Sequence, residues 1–147
     1  MSTEENKAII RRYYDELNRK HFAVYDELIA PEVTYEGVAV GREWLRQFST
    51  MLRTAFPDLR ITAEEMVAEG DLVATYYTVG GTHRAELQSP AMGRVAPTGK
   101  VFTGKGMDLY RIRDGQIVEL RGSVDQLTIL QQLGVLPTPA VPAQPGD

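Results

Sequence analysis

Asp125 is the carboxylate whose position best suits acid/base chemistry, because it directly follows the last predicted strand. If it faces an apolar cavity, loss of water raises its pKa, unless Arg121 on the same strand face holds the pKa down. Such a carboxylate can take a proton from a carbon between two carbonyls and return it to the new alkoxide. Aspartate is also a favoured N-cap, here for a helix starting at Gln126, and the two roles are compatible.

Strand alternation decides which residues would accompany Asp125. Counting in steps of two, one face is unusually polar and the other apolar. The polar face carries Ile117, Glu119, Arg121, Ser123 and Asp125, and the other carries Val118, Leu120, Gly122 and Val124.

His83 and Asp108 are two further candidates on predicted strands. His83 could donate a hydrogen bond to a substrate carbonyl or orient Asp125, although a lone strand histidine is more often simply packed or exposed. Asp108 lies among apolar neighbours, where an unpaired carboxylate is costly. It is therefore either a second pocket acid or the salt-bridge partner of Arg84 or Arg111, and we favour the salt bridge.

Aromatic side chains at helical and strand positions predict an apolar lining suited to a flat substrate. The same residues could equally form plain core. They are Tyr14, Tyr35, Trp44, Phe48 and Phe56, together with the apolar thioether of Met51.

The elements that position these residues begin with helices. A capping box precedes an amphipathic helix over about residues 3–20, and a short helix should end at Pro31. A strand is predicted over 33–36. A third helix carries a wide apolar stripe over 44–56.

Strands dominate the second half of the chain. Residues 59–69 and 72–84 alternate in polarity and form one predicted hairpin. Residues 101–113 and 116–124 form another around Asp114-Gly115, a pair typical of a type I′ turn. Helices followed by long antiparallel strands indicate an α+β fold.

The remaining segments predict no long element. Residues 87–99 read as a loop, and 126–133 as a short helix that Gly134 can cap. The proline-rich end, 138–147, should be disordered, which leaves a single domain over 1–137.

Composition excludes several function classes. The net charge of −4 has no block of like sign, so a nucleic-acid partner is not expected. The chain has no cysteine and 2 histidines, which argues against disulfides, thiolate metal sites and a histidine-rich metal cluster. Without a signal-like N-terminus or an apolar span, we expect no membrane association and a cytoplasmic protein.

Ordered sequence pieces between Asn6 and Pro137 resemble the SnoaL-like polyketide cyclases of the nuclear-transport-factor-2-like superfamily. The match lies in the order and spacing of the pieces rather than in any one of them. They are Phe56-Pro57-Asp58-Leu59, Gly81-Thr82-His83, Pro97-Thr98-Gly99-Lys100, the run from Arg111 to Glu119, and Asp125 followed by Leu130-Gln131-Gln132-Leu133-Gly134.

The resemblance implies a cone-shaped curved antiparallel sheet whose N-terminal helices cover an apolar pocket. It also implies cofactor-free and metal-free intramolecular aldol chemistry on a hydrophobic, aromatic ester, with Asp125 as the catalytic acid/base and His83 assisting. Arg121, near the place where many members carry tryptophan, would make the pocket floor more polar. Homodimer formation is the habit of the family.

Two other functions stay open. The chain could be a non-catalytic module of the same fold that binds a small molecule or dimerises. It could also hydrolyse epoxides with an Asp-Arg-Asp relay drawn from Arg121, Asp125 and either Asp108 or Glu86, although their order fits that group poorly.

Overall fold

The computed structural model describes residues 1–89 and 92–138, and these form four helices and eight strands. The helices are α1 (Thr3–Asn18), α2 (Val24–Leu28), α3 (Arg42–Ala55) and α4 (Gln126–Gln132). The strands are β1 (Ile29–Tyr35), β2 (Val38–Ala39), β3 (Arg60–Glu69), β4 (Leu72–Thr82), β5 (Leu87–Ser89), β6 (Gly93–Val95), β7 (Val101–Arg113) and β8 (Gln116–Val124).

Six strands form one curved sheet in the order β2-β1-β8-β7-β4-β3. Its pairs are antiparallel except for β1 with β8, which is parallel. The helices α1, α2 and α3 pack on the concave face. The predicted α+β class with a curved antiparallel-rich sheet and N-terminal helices is confirmed.

Helix α1 begins at the predicted capping box, in which Ser2 and Glu5 each accept a backbone N–H from the other. Its buried face packs against β3 and β4 and fills the centre of the main core. That face consists of Asn6, Ile10, Tyr13, Tyr14 and Leu17.

The turn between β7 and β8 follows the expected chemistry, since Asp114 and Gly115 have φ angles of 50° and 77°. The alternation predicted for β8 is nevertheless wrong. Arg111 pairs with Glu119 but Ile112 pairs with Ile117, so Val118 is an extra, bulged residue. A single inserted residue exchanges the two faces of the strand beyond it.

Because of this bulge, odd-numbered residues face inward before Val118 and even-numbered residues face inward after it. Ile117 is fully buried, and further along β8 it is Leu120 and Val124 that pack on the main core. Arg121 and Ser123 are exposed on the outer face instead. The polar row predicted to face the cavity therefore faces outward.

A smaller hydrophobic cluster lies at the opposite end of the sheet. It packs α3, the short β5–β6 hairpin, β7 and α4 together, and it consists of Ala55, Phe56, Leu87, Val95, Phe102 and Leu133. The segment 87–99, predicted to be a loop, therefore contains two paired strands. Burial of Leu87 and Val95 in the smaller cluster stabilises this hairpin. Residues 90 and 91 lie outside the described residues.

Other predicted boundaries differ by only a few residues. Both long hairpins occur where they were expected. Pro31 lies within β1, where the pairing with β8 shifts, rather than ending α2. Gly134 has a φ of 76° and follows α4 as predicted, while the predicted disordered end falls, from residue 139 on, outside the described residues.

Candidate functional site

Asp108 is the carboxylate that the structure places on the concave face of the sheet. It lies on β7 opposite Thr75 of β4 and Gly122 of β8, and most of its surface is buried. Burial raises the pKa of Asp108 to about 6, although hydrogen bonds from Tyr110 and Tyr14 lower it and the negative charge of Glu36 raises it further.

Two phenols from different elements hold one oxygen of Asp108. The Tyr110 hydroxyl donates to Oδ2 at 2.8 Å and the Tyr14 hydroxyl donates to the same atom at 3.2 Å. The hydroxyl of Tyr14 is also within hydrogen-bond distance of the hydroxyls of Thr75, at 2.8 Å, and of Tyr110, at 2.9 Å. Burial raises the pKa of both tyrosines, so they remain donors throughout the physiological range.

Glycines on the inner face make room for this cluster. A Cβ on Gly122 would collide with Oδ1 of Asp108, and one on Gly106 would collide with the hydroxyl of Tyr77. In both cases the atom nearest to the added Cβ belongs to the end of an inward-facing side chain. Position 122 must therefore lack a side chain for Asp108 to occupy its place.

Aromatic rings border the site at the end of β1. The rings of Trp44 and Phe48 stack with centroids 5.5 Å apart and planes 4° from parallel, and Tyr35 lies 5.4 Å from Trp44. Trp44 is 41% exposed, so this border opens to solvent. Burial raises the pKa of Tyr35, and the negative charges of Glu36 and, to a smaller extent, Asp108 raise it further.

Asp125 lies on the solvent side of the same sheet, and the expectation that it faces the pocket is wrong. It is exposed, and its carboxylate caps α4 by accepting the backbone N–H of Thr128 at 3.1 Å and its hydroxyl at 2.7 Å. These hydrogen bonds from Thr128 lower the pKa of Asp125, the opposite of the expected shift.

His83 is fully buried, and within the described part of the chain it forms no hydrogen bond with Asp108 or Asp125. Its Nδ1 accepts the backbone N–H of Thr98 at 3.2 Å, and its ring packs on Phe56. It follows β4 eight residues beyond Thr75, the partner of Asp108, which is roughly 25 Å along the strand. The predicted cooperation with Asp125 is not present.

Comparison with known proteins agrees with this fold and covers almost all of it. The sequence profile of the SnoaL-like polyketide cyclases matches residues 7–133. The chain belongs to the SnoaL-like polyketide cyclase family. No curated protein sequence is detectably similar to this chain.

Solved structures extend the family match. IdmH, a candidate polyketide cyclase from Streptomyces antibioticus, is 33% identical, with 88% of this chain and 99% of IdmH aligned and a TM-score of 0.76. AclR, a candidate hydroxylase from Streptomyces galilaeus, is 29% identical over 92% of this chain and 100% of its own, with a TM-score of 0.80. TsrD from Streptomyces laurentii, at 23% identity, shares the fold with a TM-score of 0.80 over 92% and 99% of the chains.

The remaining predicted site residues of this SnoaL-like protein divide between two places. Tyr14, Tyr35, Trp44 and Phe48 lie around Asp108 or at its aromatic border. Phe56 and Met51 belong to the smaller cluster at the other end. Arg121 is largely exposed on the outer face and pairs with Glu119 at 3.3 Å, so it does not form a pocket floor.

The predicted salt bridge of Asp108 is also wrong. Arg111 lies on the outer face of β7 and pairs with Asp71 at 2.7 Å, while Asp108 is held by phenols. Asp108 and Arg111 are three positions apart on one strand, and residues at an odd spacing point to opposite faces of the sheet.

The predicted apolar pocket stays a prediction. Buried tyrosines fill the centre of the cone in this SnoaL-like protein, including Tyr13, Tyr14, Tyr77 and Tyr110. Two depressions in the described surface, of about 460 and 420 Å³, lie elsewhere, around Asn6 and Asp71 and around Glu32 and Arg111.

Sequence reasoning missed Tyr110, Thr75 and Gly122 as parts of the site. The parity of β7 could have found Tyr110, because it lies two residues from Asp108 and therefore on the same face. Thr75 needs the register of β4 with β7, and Gly122 needs the bulge in β8. Neither is visible in local sequence.

Proposed function

We propose that this protein is a polyketide cyclase-type enzyme in which Asp108 is the acid/base. The observation that carries the proposal is a buried carboxylate held by Tyr14 and Tyr110 at 3.2 and 2.8 Å on the concave face. Family membership supports cyclase-type chemistry, and the raised pKa of Asp108, about 6, suits a base that works near neutral pH.

The proposed reaction is an intramolecular aldol condensation. The Asp108 carboxylate takes a proton from a carbon between two carbonyl groups, and the electron pair of that C–H bond enters the enolate. The enolate carbon then attacks a ketone carbon of the same molecule, forming the C–C bond and leaving an alkoxide. Asp108 returns its proton to this alkoxide and is regenerated.

The surrounding residues divide the remaining work. Tyr14 and Tyr110 fix Oδ2 of Asp108, which leaves Oδ1, beside Gly122, as the oxygen for the substrate proton. The rings of Tyr35, Trp44 and Phe48 offer flat apolar surface to a hydrophobic, aromatic substrate. Every step uses protein side chains, so the mechanism requires no cofactor.

The experiment compares Asp108→Asn with Asp125→Asn on a panel of linear aromatic polyketide esters, with cyclised product measured by mass spectrometry. Asp108→Asn keeps the shape but removes the base, so cyclisation should fall at least about 100-fold. Asp125→Asn makes the same chemical change on the solvent side and should leave the rate within about twofold. Full activity in Asp108→Asn would remove the proposal.

One observation favours the non-catalytic alternative, a module that binds a small molecule or serves in dimerisation. Tyr14, Tyr77 and Tyr110 fill the centre of the cone, and neither surface depression adjoins Asp108. Saturable ligand binding without turnover of any ester in the panel would support this alternative. The epoxide hydrolase relay loses its support, because Asp125 and Arg121 lie on the outer face, away from Asp108.

We also propose that the protein forms a homodimer through the outer face of the sheet. Val67 and Met107 are 65% and 59% exposed there, and Leu109 and Tyr76 lie beside them. Sedimentation velocity should give a dimer for the natural chain and a monomer for Met107→Glu. A monomeric natural chain at micromolar concentration would contradict the proposal.

None of the helices described in the chain is long and apolar enough to cross a membrane. We keep the cytoplasmic location as a proposal, to be checked by cell fractionation.

A further inference from the structure

Glu36 occupies a strained position at the end of β1. It has a φ of 51°, the left-handed region that non-glycine residues rarely adopt, and the next residue, Gly37, has a φ of 80°. Together they turn the chain from β1 into β2. Such strain at a non-glycine residue persists only where other contacts compensate for it.

The compensating contact joins Glu36 to the strand that borders Asp108. The Glu36 carboxylate accepts the backbone N–H of Gly122 at 2.5 Å, across 86 positions of sequence. The strand β1 ends at Tyr35, which pairs with Leu120, so β1 offers no backbone partner to Gly122. The Glu36 side chain continues the ladder there.

Gly122 also touches Asp108 from its other side. Only the missing Cβ of Gly122 leaves space for Oδ1 of Asp108, and the two residues are direct partners across β7 and β8. One glycine therefore lies between the carboxylates of Glu36 and Asp108, one at the exposed edge and the other in the interior.

We propose that Glu36 is a positioning residue for Asp108, fixed by its hydrogen bond to Gly122 so that its carboxylate acts on that of Asp108 across this one glycine. The proposal rests on the assignment of Asp108 as the acid/base. A negative charge close to a carboxylate disfavours ionisation and so increases its affinity for a proton.

Burial is the main cause of the raised pKa of Asp108, and the nearby carboxylate of Glu36 raises it further. The groups that face Asp108 are Tyr14 from α1, Tyr35 and Glu36 from the end of β1, Tyr77 from β4 and Tyr110 from β7. Burial raises the pKa of each of these tyrosines, so they are neutral near pH 7. Among the described residues that shift the pKa of Asp108, Glu36 is the one that contributes a carboxylate.

A purely structural role for Glu36 gives a different expectation. In that role it would only supply the hydrogen-bond acceptor that Gly122 lacks on the β1 side. Glu36→Gln separates the two roles, because its amide oxygen still accepts from Gly122 while the charge is lost. Glu36→Asp makes the converse change, since it keeps the charge and shortens the reach.

The test is the titration of the Asp108 side-chain carboxyl by 13C NMR in protein labelled at aspartate, assigned with Asp108→Asn. Glu36→Gln should lower the apparent pKa of Asp108 by about half a unit or more, and Glu36→Asp should largely preserve it. Glu32→Gln, an equal charge change at an exposed position of β1, is the matched control and should leave the titration unchanged.

An unchanged Asp108 titration in Glu36→Gln would overturn the proposal, as would an equal decrease in Glu32→Gln. If Glu36→Gln does not fold, Glu36→Asp decides, since loss of the raised pKa with the charge retained points to structure alone. The titration needs no substrate, so its outcome is independent of the cyclisation assay. Full turnover by Asp108→Asn would defeat the proposed function while leaving the electrostatic coupling measurable.

Discussion

Asp108 lies on β7, and Asp125 directly follows β8, the strand that pairs with β7. The backbone N–H of Asp125 donates to the carbonyl of Lys105, three residues from Asp108. The Asp108 carboxylate is mostly buried among phenols, and its pKa is raised. The Asp125 carboxylate is exposed and accepts hydrogen bonds from Thr128, and its pKa is lowered. An aspartate therefore has a raised pKa on one side of the sheet and a lowered pKa on the other. Strand face, rather than proximity along the sheet, decides which of them can act as a base near neutral pH.

Gly122→Ala should give the largest effect by breaking the contrast from the Asp108 side. The added Cβ would occupy the place of Asp108 Oδ1 and displace this side chain, and misplacement of a catalytic group by about 1 Å can cost roughly 100-fold in rate. Cyclisation assays should show that loss with the secondary structure retained. Ser123→Ala, on the opposite face, is the control, and an active Gly122→Ala enzyme would argue against the assigned geometry.

Asp108→Asn should change how the free energy of unfolding depends on pH, which sharpens the contrast between the two aspartates. The native pKa of Asp108 is raised from 3.8 to about 6, so its ionisation destabilises the folded state; stability from this group is full below about pH 4 and is lost as pH rises through 6. The variant should therefore be more stable at pH 7.5, by on the order of 3 kcal/mol, with the difference vanishing near pH 4. Urea unfolding at both pH values measures this, and a variant that is less stable at pH 7.5 would contradict it.

His83→Asn should have a smaller effect, of the opposite pH dependence. Burial lowers the pKa of His83, so the unfolded chain binds a proton more readily and stability falls as pH drops below about 6.5. The variant keeps an acceptor for Thr98 but loses this titration, so its stability should vary less between pH 7.5 and 5.5. Thermal unfolding at the two pH values is the measurement, and an unchanged pH dependence would show that His83 is not the responsible group.

Asp125→Ala should have the smallest effect and should leave cyclisation intact. The variant loses the cap on α4, so its melting temperature should decrease slightly, while Asp125→Asn retains a good N-cap. The low pKa of Asp125 means that its contribution is present above the unfolded pKa and is lost as pH falls through the folded value. A large loss of activity in Asp125→Ala would restore the role expected from the sequence.

The sequence pieces that revealed the family are mostly structural in this protein. Asp58 accepts the backbone N–H and the hydroxyl of Thr82 at 2.7 and 2.8 Å, which joins the end of α3 to β4. His83 accepts from Thr98 and so fixes the entry to β7. These pieces predicted the fold well because they hold its elements together, and for the same reason they directed attention away from Asp108.

The positions of the long elements followed from local chemistry. The capping box at Ser2 and Glu5, the type I′ turn at Asp114 and Gly115, and the alternation in the hairpins depend on residues close in sequence. The sequence alone was thus enough for the α+β class, the curved sheet with its covering helices, and the family.

Only the tertiary structure decided which carboxylate lies inside. A single bulged residue, Val118, exchanged the faces of β8 and placed Asp125 in solvent, while the register of β7 with β4 and β8 brought Thr75 and Gly122 to Asp108. Local pattern fixes the spacing of side chains along one strand. Their environment depends on pairing with distant strands, where a shift of one residue reverses inside and outside.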